Sequence, residues 1–446
     1  MAAGDTIVET FQSSARNSRP QSSTADVLAL RDDLRERYRS VRRQSLALCA
    51  TLVPEDCVIQ TMPEASPTKW HLAHTSWFFE TFLLQPHLPG YRCLDPQYGF
   101  LFNSYYNAVG KMHSRPQRGL ISRPTLKDTF VYREHVDEMV EELLESCDEY
   151  KLDLLAPLII MGLNHEQQHQ ELMLTDIKHV FWMNPLRPVF REQKIPGSDE
   201  NLDFGWRDYS EGIHSIGYEG AEFHFDNEGP RHRVLLQPFS IASRLVTNRE
   251  YLAFMNEGGY QRPELWLSLG WNIIRERGWD APLYWENREH GWWMMTLAGM
   301  REVVSNEPVC HLSYFEADAY ARWAGARLPT EEEWEVAAEQ AAVDGNFVEA
   351  GYLHPAPAST EASNRGLCQM FGDAWQWTRS AYSPYPGYEA AAGALGEYNG
   401  KFMCNQYVLR GASCATPRSH ARTTYRNFFP PDARWQFAGL RLARDP

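Results

Sequence analysis

The run His165-Glu166-Gln167-Gln168-His169 constrains this chain more than any other feature. Two imidazoles four residues apart lie on one face of a helix and can point at a single metal ion. A fold that uses such a pair needs that helix walled in by others, with a third ligand arriving from elsewhere. Trp70-His71-Leu72-Ala73-His74 offers one on a second helical stretch. Spacing alone leaves both His71 and His74 as candidates. On the later helix Leu158, Met161, His165, His169, Leu172 and Asp176 fall on one stripe, predicted to face a bundle interior. A lone inward histidine is ordinary core. Two at i and i+4, with a third on another helix, shift the balance towards a metal. Imidazole suits Zn, Fe, Cu and Ni alike, so the ligands do not name the ion.

The spelling H-E-x-x-H is also that of zinc proteases, with the glutamate as general base. Those need a further ligand soon after, and Gln170-Glu171-Leu172-Met173-Leu174 supplies no such motif. Gln168, one position before the second histidine, borders the metal face. Glu166 then reads as an outer or surface carboxylate.

A chain of 446 residues is too long for one ordinary core. Residues 1–24, rich in Ser, Ala and Thr, read as a disordered tail without a secretory h-region. Residues 25–185 read as a helical bundle. Its predicted helices are Val27–Leu52 (core candidates Leu28, Leu30, Leu34, Tyr38, Val41, Leu46), Trp70–Leu84 capped by Ser66-Pro67, Leu126–Lys151, and Leu154–Trp182 with Pro157 in its first turn. The long Pro- and Gly-rich connection holds Asn103-Ser104-Tyr105-Tyr106-Asn107, too aromatic for disorder. Residues 186–204 read as a linker. Residues 205–446, with short apolar stretches and much Gly, Trp and Tyr, read as irregular α+β. Capping boxes there start helices at Ser313/Glu316 and Thr330/Glu333.

The formal charge of −15 disfavours a nucleic-acid partner, and no apolar run reaches the roughly 18 residues of a membrane span. The 8 Cys are scattered and form no C-x-x-C pair, which predicts reduced thiols in a cytoplasmic protein. A homo-oligomer is compatible with all of this.

The segments Trp70–His74 and His165–His169, followed by the motifs below, resemble the EgtB-type sulfoxide synthases of ergothioneine biosynthesis. The resemblance spans about Ala25 to Asp445. It implies a DinB-like four-helix bundle carrying Fe(II) on His74, His165 and His169, since the family's first ligand sits in an L-A-H setting; His71 falls outside that position. Val246–Tyr251, Arg327–Trp334, Gly372–Thr378, Arg410–Ser413 and Gly439–Leu442, taken in order, resemble the formylglycine-generating-enzyme and C-type-lectin-like fold. They specify a fold, not an activity. Formylglycine-generating enzymes need two cysteines five apart; here Cys414 fits the first place and Ser419 stands in the second, which argues against that chemistry.

The family joins a thiol sulfur to C2 of hercynine (Nα-trimethylhistidine) with O2 and yields a sulfoxide. By resemblance Asn427 meets the hercynine ammonium-carboxylate end, Gln168 touches its imidazole, and Phe428 could face its trimethylammonium group. Ordinary packing is the better reading of Phe428 or Phe429 taken alone. Relatives that use γ-glutamylcysteine carry R-N-W-D, whose Asp meets the thiol; here the segment is Arg426-Asn427-Phe428-Phe429. The Asn103–Tyr106 and Arg115–Gly119 segments are similar to the branch associated with free cysteine. Arg115 and Arg118 would then hold a substrate carboxylate. Tyr105, slightly ahead of Tyr106, is the candidate proton-delivering phenol; in an extended segment the two would point apart. The other readings are a γ-glutamylcysteine or selenosugar donor, an ovothiol-type enzyme acting at C5 of histidine, and a non-catalytic lectin-like binding protein.

Overall fold

The computed structural model describes residues 24–193, 197, 204–359, 366–391 and 393–446. Of the expected tail, residues 1–23 lie outside the described residues, as do 194–196 and 198–203 of the expected linker. The chain forms two compact units. One comprises Met1–Val180 with Glu389–Lys401, the other Phe181–Tyr388 with Phe402–Pro446. The sequence reading kept 205–446 undivided; Glu389–Lys401 leaves that stretch because its side chains bind the Tyr105 loop.

The first unit is built on four helices: α1 (Thr24–Cys49), α2 (Thr68–Phe79), α3 (Leu126–Ser146) and α4 (Glu149–Met183). In α1, Leu34, Tyr38, Arg42, Ser45 and Leu48 are buried at helical spacing, whereas Leu28 and Leu46 are exposed. The two polar residues on the inner face are the ones apolar periodicity passes over, and both bind Glu166. All twelve residues of α2 are buried. Ser66 does not cap this helix. Its N–H donates to Asp176 (2.8 Å) and its hydroxyl accepts from Arg118 (2.9 Å), while Pro67 holds the N-cap position. A π-helical turn, Glu80–Leu84, follows α2.

Thr125 and Asp128 form a capping box that starts α3. The break before α4 falls at Cys147-Asp148, where the Asp148 carboxylate accepts the Lys151 N–H (2.8 Å) as an N-cap would. That start lies earlier than Leu154, so Pro157 sits inside the helix, beyond its first turn. Trp77, Phe78, Phe79, Tyr132, Val136, Leu152, Leu155 and Ile159 fill the space between helices.

The second unit is irregular α+β. Its largest sheet runs Asn427–Phe429, Tyr407–Arg410, Trp375–Ala381, Ala438–Gly439, with the last pairing parallel. Trp334, Trp375 and Trp377 are fully buried. Their polar edges are satisfied: Trp334 Nε1 donates to Gln376 (2.8 Å) and Trp377 Nε1 to the Leu312 carbonyl (2.9 Å). Both expected capping boxes form, opening Tyr314–Trp323 and Glu331–Ala338, and a third at Thr247/Glu250 opens Asn248–Asn256. All eight cysteines are free thiols, and Cys414 is buried. No helix among the described residues is long and apolar enough to cross a membrane.

Candidate metal centre

His165 and His169 lie one turn apart on α4, and α2 brings His74 against them. One ring nitrogen from each lies within 4.8 Å of the other two. His74 and His165 are buried, and His169 is half-buried. His74 Nδ1 lies 2.6 Å from the Phe102 carbonyl, which can only accept, so Nδ1 carries the proton. Its Nε2 lone pair then faces His165 Nε2 at 3.2 Å. Burial, with the neighbouring histidines, holds His74 and His169 well below the ordinary imidazole range; burial carries His165 down to about 4. The three imidazoles each bring one ring nitrogen to a common point, an arrangement that a cation can bridge. The donor set fits a metal ion.

Glu166, one residue from the first of these histidines, is turned away from that chemistry. It is buried against Arg42 (2.9 Å), Arg133 (2.8 Å) and Ser45 (2.6 Å). Burial raises its carboxyl, but the two guanidinium groups outweigh that and bring it to about 2. A carboxylate held by two arginines cannot serve as general base, and it is not on the surface. The protease reading fails on this contact.

Arg118 is buried, and burial lowers its guanidinium to about 9. It donates to Ser66 (2.9 Å) and Ser104 (2.8 Å) and lies 3.4 Å from the centre of the Trp70 ring. Trp70 in turn stacks on His74 at 4.6 Å. Among the described residues Arg118 makes no ion pair. Arg115 is spent differently: it donates to the Tyr105 hydroxyl and the Glu64 carbonyl.

Tyr105 has φ +67°, rare for a bulky residue, so the segment turns instead of running extended. The two phenols part at that turn. Tyr106 is buried against Trp77 (5.7 Å) and Phe82 (5.2 Å), and burial pushes its hydroxyl pKa up. Tyr105 faces Arg115 and Tyr398. Glu397 accepts the N–H groups of Asn107 (2.8 Å) and Ala108 (2.9 Å), and Lys401 donates to the Tyr105 carbonyl.

Gln168 is half-buried on α4. Asn427, Phe428 and Phe429 lie on the edge strand of the second unit. There Phe428 stacks on Tyr382 (4.0 Å) and Phe429 packs against Trp435 (5.8 Å). Sequence reasoning weighed His71 as a ligand and not as a partner of His169, and did not foresee the contacts of Trp70, Ser66, Ser104, Tyr398, Glu397 and Lys401. For His71 a signal existed: Asp176 was already on the inward stripe of α4, and the two are bonded at 3.0 Å.

The chain thus joins a helical bundle carrying a three-histidine cluster to an irregular α+β domain. Residues 210–446 match the family described as Sulfatase-modifying factor enzyme 1-like domain. The chain is 31% identical to the hercynine oxygenase of Mycobacterium tuberculosis over 405 residues, 86% of this chain and 92% of that protein. It is 32% identical to the hercynine oxygenase of Mycolicibacterium smegmatis, over 86% of this chain and 92% of that protein. It is 28% identical to the Ergothioneine biosynthesis protein 1 of Schizosaccharomyces pombe, over 50% of this chain and 28% of that one. The chain belongs to the hercynine oxygenase family of EgtB-type sulfoxide synthases.

Proposed function

We propose that this enzyme joins the sulfur of L-cysteine to C2 of hercynine and releases hercynyl-cysteine sulfoxide, with Fe(II) on His74, His165 and His169. The thiol S–H and the imidazole C2–H bonds are lost and a C–S bond forms. The four electrons removed reduce O2, one oxygen ending on sulfur and the other in water. When bound, the iron would supply a template for both substrates and a path for their electrons to O2.

The protein's own part is binding, orientation and proton placement. The observation that carries the reading is Arg118: a buried guanidinium without an ion pair among the described residues, one aromatic ring away from His74. A desolvated cation of this kind is stabilised by a carboxylate, and the amino-acid carboxylate of cysteine is of the right size and charge. Trp70 keeps water from one side of both groups. Tyr105 holds a phenolic proton, its oxygen fixed by Arg115. On this reading Gln168 serves hercynine, and Phe428 and Phe429 are packing residues. The site of action is the cytoplasm, where eight free thiols stay reduced.

The test is a product assay. Protein reconstituted anaerobically with Fe(II) is mixed with hercynine, air and either cysteine or γ-glutamylcysteine, then analysed by mass spectrometry. Sulfoxide from free cysteine supports the proposal; product only from γ-glutamylcysteine overturns the donor. In the same assay Tyr105→Phe is expected to divert cysteine towards its sulfinic acid. An unchanged product ratio moves the proton to Tyr106.

A further inference from the structure

The three metal-side histidines are held from behind in three different ways. His74 is fixed by a backbone carbonyl. His165 Nδ1 has no partner among the described residues. His169 is fixed by a second histidine: its Nδ1 lies 2.8 Å from His71 Nδ1, and His71 Nε2 lies 3.0 Å from Asp176 Oδ2. Asp176 is anchored in turn, its Oδ2 accepting the Ser66 N–H at 2.8 Å. His71 and Asp176 are both buried.

A carboxylate only accepts, so His71 Nε2 carries a hydrogen towards Asp176. The contact between the two Nδ1 atoms holds one hydrogen. In the polarity that lets His169 bind a cation, His169 donates that hydrogen to a lone pair on His71 Nδ1. That leaves His169 with a lone pair on Nε2, the nitrogen free to bind a cation. In the reverse polarity His169 would carry its hydrogen on Nε2 and could not be a ligand. Asp176 and His169 are seven residues apart on α4, two turns along one face, and α2 lays His71 across the gap.

We infer that His71 and Asp176 form a positioning relay that selects the metal-binding tautomer and ring orientation of His169. The inference rests on the metal centre proposed above. His71 is a positioning residue and not a fourth ligand: its ring nitrogens are already engaged, one by Asp176 and one by His169 Nδ1. Partners of this kind contribute roughly 10- to 100-fold to metal affinity.

The relay is tested by anaerobic titration of the full-length protein with Co(II), following both affinity and the visible absorption band of the bound ion, and repeated with Fe(II). His71→Leu keeps the bulk but removes both hydrogen bonds, and is expected to weaken affinity by roughly 10- to 100-fold and shift the band. His71→Gln can donate its amide hydrogen to Asp176 and accept from His169 through its oxygen, and is expected to recover most of that loss. A purely space-filling role for His71 makes the opposite forecast, with Leu tolerated and Gln harmful. Should His71→Leu fail to fold, Gln is compared with unaltered protein: affinity within about threefold supports the relay, and a loss as large as that of His165→Ala overturns it. Stoichiometric binding unchanged in His71→Leu overturns the relay alone. Absence of Co(II) and Fe(II) binding in the unaltered protein removes the metal reading and the relay together.

Discussion

At the scale of single residues, two buried charges behave in opposite ways. Arg118 makes no ion pair among the described residues, so on the proposed reading replacing it removes a substrate contact and leaves no paired carboxylate stranded. Arg118→Met is expected to raise KM for the thiol substrate by about tenfold or more while Co(II) affinity stays within about twofold. An unchanged KM would remove the carboxylate-binding role. Arg118→Lys is expected to rescue poorly, because a point charge cannot span Ser66, Ser104 and a carboxylate as the planar fork does. Glu166 is the reverse case: neutralising it takes the ion-pair partner from buried Arg133 and leaves Arg42 with Asp137 alone. Glu166→Gln is expected to destabilise the fold by about 3–5 kcal/mol. The loss should depend on pH. The folded carboxyl titrates at about 2, below the roughly 4.3 of an unfolded chain, so the unfolded state takes up protons first on acidification. The advantage of the unaltered protein over Glu166→Gln is therefore complete above about pH 5 and shrinks as pH falls towards 2. A difference in denaturation midpoint that stays constant over that range would contradict this.

At the scale of elements, the packing of α2 on α4 is the contact on which the centre depends. It is made close by Gly162. A Cβ there would lie 2.5 Å from Phe79 Cε1 and 2.7 Å from Cζ, and Phe79 is itself buried against Tyr38 and Phe78. Alanine in a helix interior gains about 1 kcal/mol over glycine. Forcing a methyl into a filled core costs about 1–3 kcal/mol. The second effect should win, so Gly162→Ala is expected to lower stability by up to about 2 kcal/mol in urea titration, and a gain would show that the ring can give way. The helical content of this unit could be read from the sequence because its apolar periodicity is strong, as in His165 to Asp176. Element ends were less legible. Asp148 acts as a cap through one side chain and Thr125 through its box with Asp128, and Ser66, which has a cap's sequence signature, is used instead by Arg118 and Asp176. Local pattern cannot register a tertiary partner that claims the capping group.

At the scale of the whole molecule, the helical unit is not one continuous piece of chain. Glu389–Lys401 joins it from a stretch whose neighbours on both sides belong to the second unit. No periodicity or motif marks this excursion, since its effect comes from three side chains meeting a loop some 290 residues earlier: Glu397 on the amides of Asn107 and Ala108, Lys401 on the Tyr105 carbonyl, and Tyr398 beside the Tyr105 ring. These contacts give a reason for Tyr105 to persist at φ +67°, a conformation that costs on the order of 1–3 kcal/mol and lasts only where surroundings over-determine it. The hydrogen bonds from Glu397 and Lys401 fall on the Tyr105 loop, so the two functions should separate. Glu397→Ala is expected to leave Co(II) affinity within about twofold and to speed hydrogen exchange at the Asn107 and Ala108 amides by roughly tenfold or more, with one to two kcal/mol of local protection lost. Sulfoxide formation should fall with it, because the phenol is no longer held at one place. Exchange unaltered at both amides would mean that the loop is held by Asn103 and Arg115 alone; a lost metal affinity would mean that the segment supports the histidines as well as the tyrosine.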